Sequence, residues 1–191
     1  MKRAWGTPPE LRDASAAEHY ADKEAARYTN TGARIGIQQD MSRRAIDLMM
    51  HGGWGGGEET EEVARQLPGC RGRLTLVDVA QALPLRAASL DGAISISALQ
   101  WLCVPVRAED LTLGLFEGLA RALKPRARAV LQVYMRGERD VDLFVWAALR
   151  ARLRAAYMVD YSHASDAKKY YFVVEKSERG GGKAEAADDW K

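Results

Sequence analysis

The sequence predicts an α/β fold: a largely parallel sheet whose last two strands form an antiparallel edge. Three observations carry this. From residue 74 onward, short apolar or alternating runs trade places with stretches of helical period. Within those stretches apolar residues recur three and four apart, the stripe that a surface helix buries against a sheet. Finally, 47 % of the 191 residues are hydrophobic, close to the globular average of about 45–50 %, and the length suits one domain with a real core.

Taken in order, residues 1–14 carry Pro8 and Pro9 and read as an irregular arm. Ser15 and Glu18 form a capping box, which opens a helix over 15–29 with Ala17, Tyr20, Ala21, Ala25 and Tyr28 near one face. A second helix is expected over 34–50, with Ile37, Met41, Ala45 and Leu48 as its buried stripe. Residues 52–57 then hold five glycines in six positions, followed by Glu58, Glu59, Glu61 and Glu62. A phosphate-binding glycine turn must follow a buried strand and open a helix. This one follows a helix, and its glutamates repel an anion, so 51–72 reads as an atypical linker, with a short possible helix at 59–67.

Strands are expected at 74–79, 91–98, 127–134, 158–160 and 170–176, five in all. Helices are expected at 108–123, where Leu111, Leu115, Leu119 and Leu123 stand one turn apart before Pro125 stops the run, and at 140–157. From Ser177 on, glycines and mixed charge read as a disordered tail. The expected organisation is an arm and cover helix over 1–33, a domain over 34–176 and the tail over 177–191.

Composition narrows function little. A net charge of +2 neither calls for nor forbids nucleic acid. Two cysteines and three histidines, scattered along the chain, fit neither a zinc site nor a disulfide framework. Free thiols suit a reducing compartment, nucleus or cytosol. No apolar run approaches the roughly 18 residues of a membrane span.

Some residues nevertheless carry chemistry. Asp78 closes the 74–79 strand, and ligands of open parallel sheets sit beyond the carboxyl ends of their strands. A carboxylate there can accept from a nucleoside amino or hydroxyl group; it also fits a helix cap or a turn. In Ser97-Ala-Leu-Gln-Trp-Leu-Cys103, Gln100 offers a flat donor–acceptor pair and Trp101 a stacking face, the two parts needed to hold an extruded base; Trp101 also fits a core position. Residues 119–156 hold nine basic and three acidic side chains, a balance that suits either a phosphate backbone or a solvated face.

The chain resembles the eukaryotic small-subunit (18S) ribosomal RNA (guanine-N7) methyltransferases. The resemblance runs through Pro8-Pro-Glu-Leu11, Tyr20-Ala-Asp-Lys-Glu-Ala-Ala-Arg-Tyr28, Arg34-Ile-Gly-Ile-Gln38 and Met41-Ser-Arg-Arg-Ala-Ile-Asp-Leu48. It resumes in Asp78-Val-Ala-Gln-Ala-Leu-Pro84, Leu90-Asp-Gly-Ala-Ile-Ser-Ile-Ser-Ala-Leu-Gln-Trp-Leu-Cys103, Ala129-Val-Leu-Gln-Val-Tyr134, Met158-Val-Asp-Tyr161 and Ala167-Lys-Lys-Tyr-Tyr-Phe172. It implies a class I, Rossmann-like methyltransferase sheet with strand order 3-2-1-4-5-7-6, S-adenosyl-L-methionine as cofactor, and methylation of a guanine N7 in small-subunit rRNA. Carried over, Asp78 accepts from the adenine amino group and Val79 packs on that ring. Tyr28 and Arg34 belong to the amino-terminal cover of the cofactor, and Ser97, Gln100, Trp101 and Tyr134 lie beside the methyl donor and the target base. The resemblance further implies a small zinc-ribbon activator protein pairing with the 74–79 edge strand, the pre-ribosomal small subunit as a partner, and work in the nucleus or nucleolus and the cytoplasm.

One departure is large. The family places a first strand, a glycine turn, a helix and a second strand ending in a ribose-binding acid ahead of its third strand. Only about 25 residues separate Met50 from Leu74 here, and none matches that pattern. The expected sheet is therefore incomplete, lacking its first two strands. A catalytically inactive, RNA-binding ribosome-assembly factor of the same fold is the alternative reading.

Overall fold

A computed structural model describes residues 32–51, 78–79, 81–103, 106–160 and 168–178. Helix α1 spans Gly32–His51, strand β1 Leu90–Ile96 and a short 3-10 helix Leu99–Cys103. Helix α2 (Ala108–Ala122) leads directly into β2 (Leu123–Val133); α3 (Glu138–Arg150), β3 (Leu153–Asp160) and β4 (Lys169–Lys176) follow. The helices expected at 15–29 and 59–67, strand residues 74–77 and the tail beyond 178 lie outside the described residues.

The four strands form one mixed sheet in the order β1-β2-β4-β3. Strands β1 and β2 run parallel, joined by the α2 crossover; β2–β4 and β4–β3 are antiparallel. This order matches the 4-5-7-6 half of the expected sheet. The expectation of a largely parallel sheet is corrected for the described strands, because only one of their three pairings is parallel. Asp78 and Val79, expected to close a strand, instead lie in a turn: the Gln81 N–H donates to the Asp78 carbonyl over 3.0 Å.

Two more boundaries move. The helix expected over 140–157 ends at Arg150, and β3 starts at Leu153 rather than 158. Arg152 makes the stop, with φ at 58° in the left-handed region, which a residue other than glycine enters only singly and so ends a helix. Pro125 does follow the end of α2, but it lies within β2. Between Leu90↔Leu123 and Gly92↔Arg128 the register shifts, and a residue without an N–H is tolerated at such a bulge. Arg126 sits there at φ 65°.

Alternation along β2 and β4 divides the core in two. Ala129, Leu131 and Val133 with Phe172 and Val174 face α2 and α3, packing with Leu115, Phe116, Leu119, Phe144 and Ala147. Val130, Tyr171 and Val173 face the other way and pack beneath Ala45 and Leu48 of α1. Of the stripe expected on α1, Met41, Ala45 and Leu48 are buried, whereas Ile37 is 47 % exposed. The side chains of α1 reach down onto β1: a Cβ on Gly92 would meet Met49 Sδ at 2.8 Å, so the methionine would have to swing aside.

Candidate functional site

Because β1 and β2 are parallel, their carboxyl ends share one edge of the sheet, where ligands of such folds sit. Ser97 follows β1 directly; Gln132 and Val133 close β2, and Tyr134 comes next. Ser97 adopts φ 53°, a strained conformation for a residue with a Cβ. Three bonds to one residue hold it there. Its N–H donates to the Gln132 carbonyl at 3.0 Å and to Gln132 Oε1 at 2.9 Å, and its hydroxyl donates to the same Oε1 at 2.7 Å.

The strain turns the chain into the 3-10 helix that carries Gln100 and Trp101. Gln100 is buried, with its Nε2 donating to the Ser97 carbonyl at 3.0 Å. Trp101 is half-buried, neither a core residue nor a fully displayed face. The segment is anchored at its far end by Arg136, which donates to the Cys103 carbonyl at 2.6 Å. Arg136 grips buried Asp140 at the same time, through Nη2 at 2.6 Å, Nε at 2.7 Å and its backbone N–H at 3.1 Å. A carboxylate in the first turn of α3 also complements the positive end of that helix. One ion pair thus ties the segment 99–103 to α3.

Met41 of α1 closes the group from the other side. Its Sδ lies 3.5 Å from the Tyr134 hydroxyl and 3.9 Å from Ser97 Oγ. Of the expected site residues, the structure therefore gathers Ser97, Gln100, Trp101 and Tyr134 at the strand ends. Asp78 sits in its own turn with an exposed carboxylate, reached by Gln81 Nε2 at 3.4 Å; Val79 beside it packs on the α2–α3 side of the core. Tyr28 lies outside the described residues. Arg34 is in the first turn of α1, and nothing of its side chain is described.

Two members of the group were not read as site residues in the sequence. Gln132 is fully buried; its signal is a polar residue in the otherwise apolar run Ala129-Val-Leu-Gln-Val. Met41 keeps its expected buried position, and the contact of its sulfur with Ser97 and Tyr134 has no signature in spacing.

Six of the nine basic side chains over 119–156 lie against carboxylates or backbone carbonyls. Lys124 pairs with Asp91, Arg126 with Glu178, Arg136 with Asp140, and both Arg128 and Arg154 with Glu175. Arg121 donates to the Leu83 and Leu85 carbonyls. Arg139 and Arg150, on the solvent side of α3, remain exposed, as does Arg152 beyond it.

No family model matches the chain. Curated relatives do. The 18S rRNA (guanine-N(7))-methyltransferase of Mus musculus is 31 % identical over 199 residues, covering 87 % of this chain and 68 % of that protein. Its counterpart in Arabidopsis thaliana is 32 % identical over 203 residues, covering 87 % and 67 %. The 18S rRNA (guanine(1575)-N(7))-methyltransferase of Saccharomyces cerevisiae is 29 % identical over 187 residues, covering 80 % and 64 %. The alignment to the mouse protein spans 199 positions but holds 87 % of 191 residues, about 166, so about 33 of its positions face no residue of this chain. Among solved structures, a SAM-dependent methyltransferase from Methanosarcina mazei is similar at TM-score 0.41 and 13 % identity, covering 62 % of this chain and 76 % of that one. The cyclase SpnF is similar at TM-score 0.43 and 10 % identity, covering 77 % and 63 %.

Proposed function

We propose that this chain, which belongs to the 18S rRNA (guanine-N7)-methyltransferase family, methylates a guanine N7 in small-subunit rRNA. The observation that carries the reading is identity of 31 % and 32 % to two such enzymes over about two thirds of their length.

The chemistry asks little of the protein. Guanine N7 is an acceptor lone pair on the base edge. It holds no proton, so the reaction needs no general base. What the protein must supply is alignment and a dry pocket. Gln100 holds the base by its edge and Trp101 by its plane, and Tyr134 and Ser97 close the pocket beside them. S-adenosyl-L-methionine supplies an electrophilic methyl group on a sulfonium. The residues present suit its nucleoside end: the exposed Asp78 carboxylate is an acceptor for the adenine amino group, and Val79 offers an aliphatic face beside it. Tyr28 and Arg34 complete the cover in this reading.

The same reading brings the pre-ribosomal small subunit as partner and places the work in the nucleus or nucleolus and the cytoplasm. No helix among the described residues is long and apolar enough to cross a membrane. A small zinc-ribbon activator is proposed as a second partner, pairing with residues 74–79 by strand addition. Co-expression with it should raise the soluble yield of the chain; equal yield without it counts against that partner.

The test of the cofactor assignment is calorimetric titration with S-adenosyl-L-methionine. The expected outcome is binding that Asp78→Ala weakens. A chain that binds no cofactor is the inactive assembly factor instead.

A further inference from the structure

We infer that Gln132 and Gln100 together read the target base, with Gln132 Nε2 donating to guanine O6 and Gln100 Oε1 accepting from guanine N1–H. This rests on the guanine reading above and adds the second residue that would make it selective.

The two amides are oriented in opposite senses by one residue. Gln132 Oε1 accepts from the Ser97 N–H and from the Ser97 hydroxyl. Turning that amide round would set its own N–H against the backbone donor, so Nε2 is fixed as the outward end. Gln100 Nε2 donates to the Ser97 carbonyl, which fixes Oε1 as its outward end. Ser97 thus presents one outward donor and one outward acceptor, from side chains held by the two backbone groups of a single residue.

Both outward atoms are buried and have no partner among the described residues. Gln132 is 0 % and Gln100 8 % exposed. Buried polar atoms in folded proteins are almost always hydrogen-bonded. Of the three unpartnered ones among the described residues, the two on side chains held by Ser97, one near the carboxyl end of β2 and one in the 3-10 helix that follows β1, are of opposite kind and mark a place kept for a ligand with the inverse pattern. Guanine has it: O6 is an acceptor, and N1–H beside it is a donor. Adenine shows the reverse at the same positions, an amino donor and a bare N1 acceptor, and would set donor on donor. A pocket built to hydrogen-bond one base rejects the other because its own groups are then left unpaired. Beside this pair the Met41 thioether sulfur meets Ser97 Oγ and the Tyr134 hydroxyl. An unbranched side chain with three rotatable bonds can swing aside without moving its helix.

The experiment is a ligand-observed NMR titration of the full chain with the 5′-monophosphates of guanosine, inosine, adenosine and 2-aminopurine riboside. All four share sugar and phosphate. Inosine keeps O6 and N1–H, so it should bind within about twofold of guanosine, while adenosine and 2-aminopurine should bind about tenfold more weakly or worse, as for a lost bidentate base contact. Gln132→Glu keeps the acceptor that holds Ser97 and replaces the outward donor, so it should erase the preference while the circular dichroism spectrum stays that of the parent. The series on the unsubstituted chain decides the matter even where the variant does not fold. Equal binding of all four, or no binding of guanosine and inosine at millimolar concentration, overturns the pair. Methyl transfer without this selectivity would sink the pair and leave the family reading standing. Selectivity without methyl transfer would support the pair and remove the enzyme.

Discussion

The two faces of the sheet are lined by the same strands and bury different things. On the α2–α3 face, rings form a chain: Phe116 meets Phe144 edge-on at 5.5 Å, and Phe144 meets Phe172 at 5.2 Å. On the α1 face a small cluster of Ala45, Leu48, Val130, Tyr171 and Val173 gives way, toward the strand ends, to Met41, Ser97, Gln132 and Tyr134. Alternating residues of one strand, β2, serve both: Leu131 and Val133 point into the large core and Gln132 into the polar group. The larger hydrophobic cluster lies on one face, and the other carries the smaller one together with a strained serine and the buried Gln132 amide.

The sharpest way to break this contrast is to empty each face in turn. Phe144→Ala should cost about 3–5 kcal/mol in urea unfolding, as for a large ring removed from a packed core, and Leu48→Ala about 2 kcal/mol. Equal losses would mean that the two faces carry the fold alike. Next in size is the tie between the site and the large core. Arg136→Ala leaves Asp140 buried without its cation and should cost roughly 2–3 kcal/mol, less than for a wholly buried pair because Arg136 is partly exposed. It should also free the 99–103 segment, read as faster amide exchange at Gln100 and Trp101 while β4 stays protected.

A smaller effect separates the faces by pH. Burial, and then the Asp160 carboxylate, push the Tyr171 phenol up from 10.0 to about 12. The folded state therefore keeps this proton after the unfolded chain has lost it. The stabilisation is fully present below pH 10 and disappears as pH rises toward 12, a loss of roughly 2 kcal/mol over that window. Tyr171→Phe should flatten this alkaline slope; an unchanged slope would assign it elsewhere. Smallest of all is Ile37→Ala, which should move stability by no more than about 0.5 kcal/mol, since the side chain is 47 % exposed despite its place in the apolar stripe.

Ile37 also shows where sequence reading stops. Spacing identified α1, and three of the four positions it marked as the stripe are buried, because helical period is a local property. It could not show that the sheet ends before the first turns of α1. The Asp-Gly-Ala-Ile-Ser-Ile run gave β1, and Ala129–Tyr134 gave the inner part of β2. The end of α3 was missed because Ala151 and Arg152 carry no helix-breaking residue, and Ala155-Ala-Tyr157 favours helix until pairing with β4 overrides it. At the site, Ser97, Gln100, Trp101 and Tyr134 were legible because they follow strands, and strand ends are where such sheets bind. Gln132 was not read, since its role depends on a hydrogen bond from Ser97, 35 residues away in the chain.

The measurement that bears most directly on the central claim is methyl transfer itself. The chain, with and without the zinc-ribbon partner, would be incubated with naked 18S rRNA and with pre-ribosomal small subunits in the presence of S-adenosyl-L-methionine. Borohydride reduction and aniline would then cleave the RNA at 7-methylguanine. The account predicts cleavage at a single guanine, greatly reduced by Trp101→Ala at saturating RNA. No cleavage on either substrate, with the partner present, would contradict it.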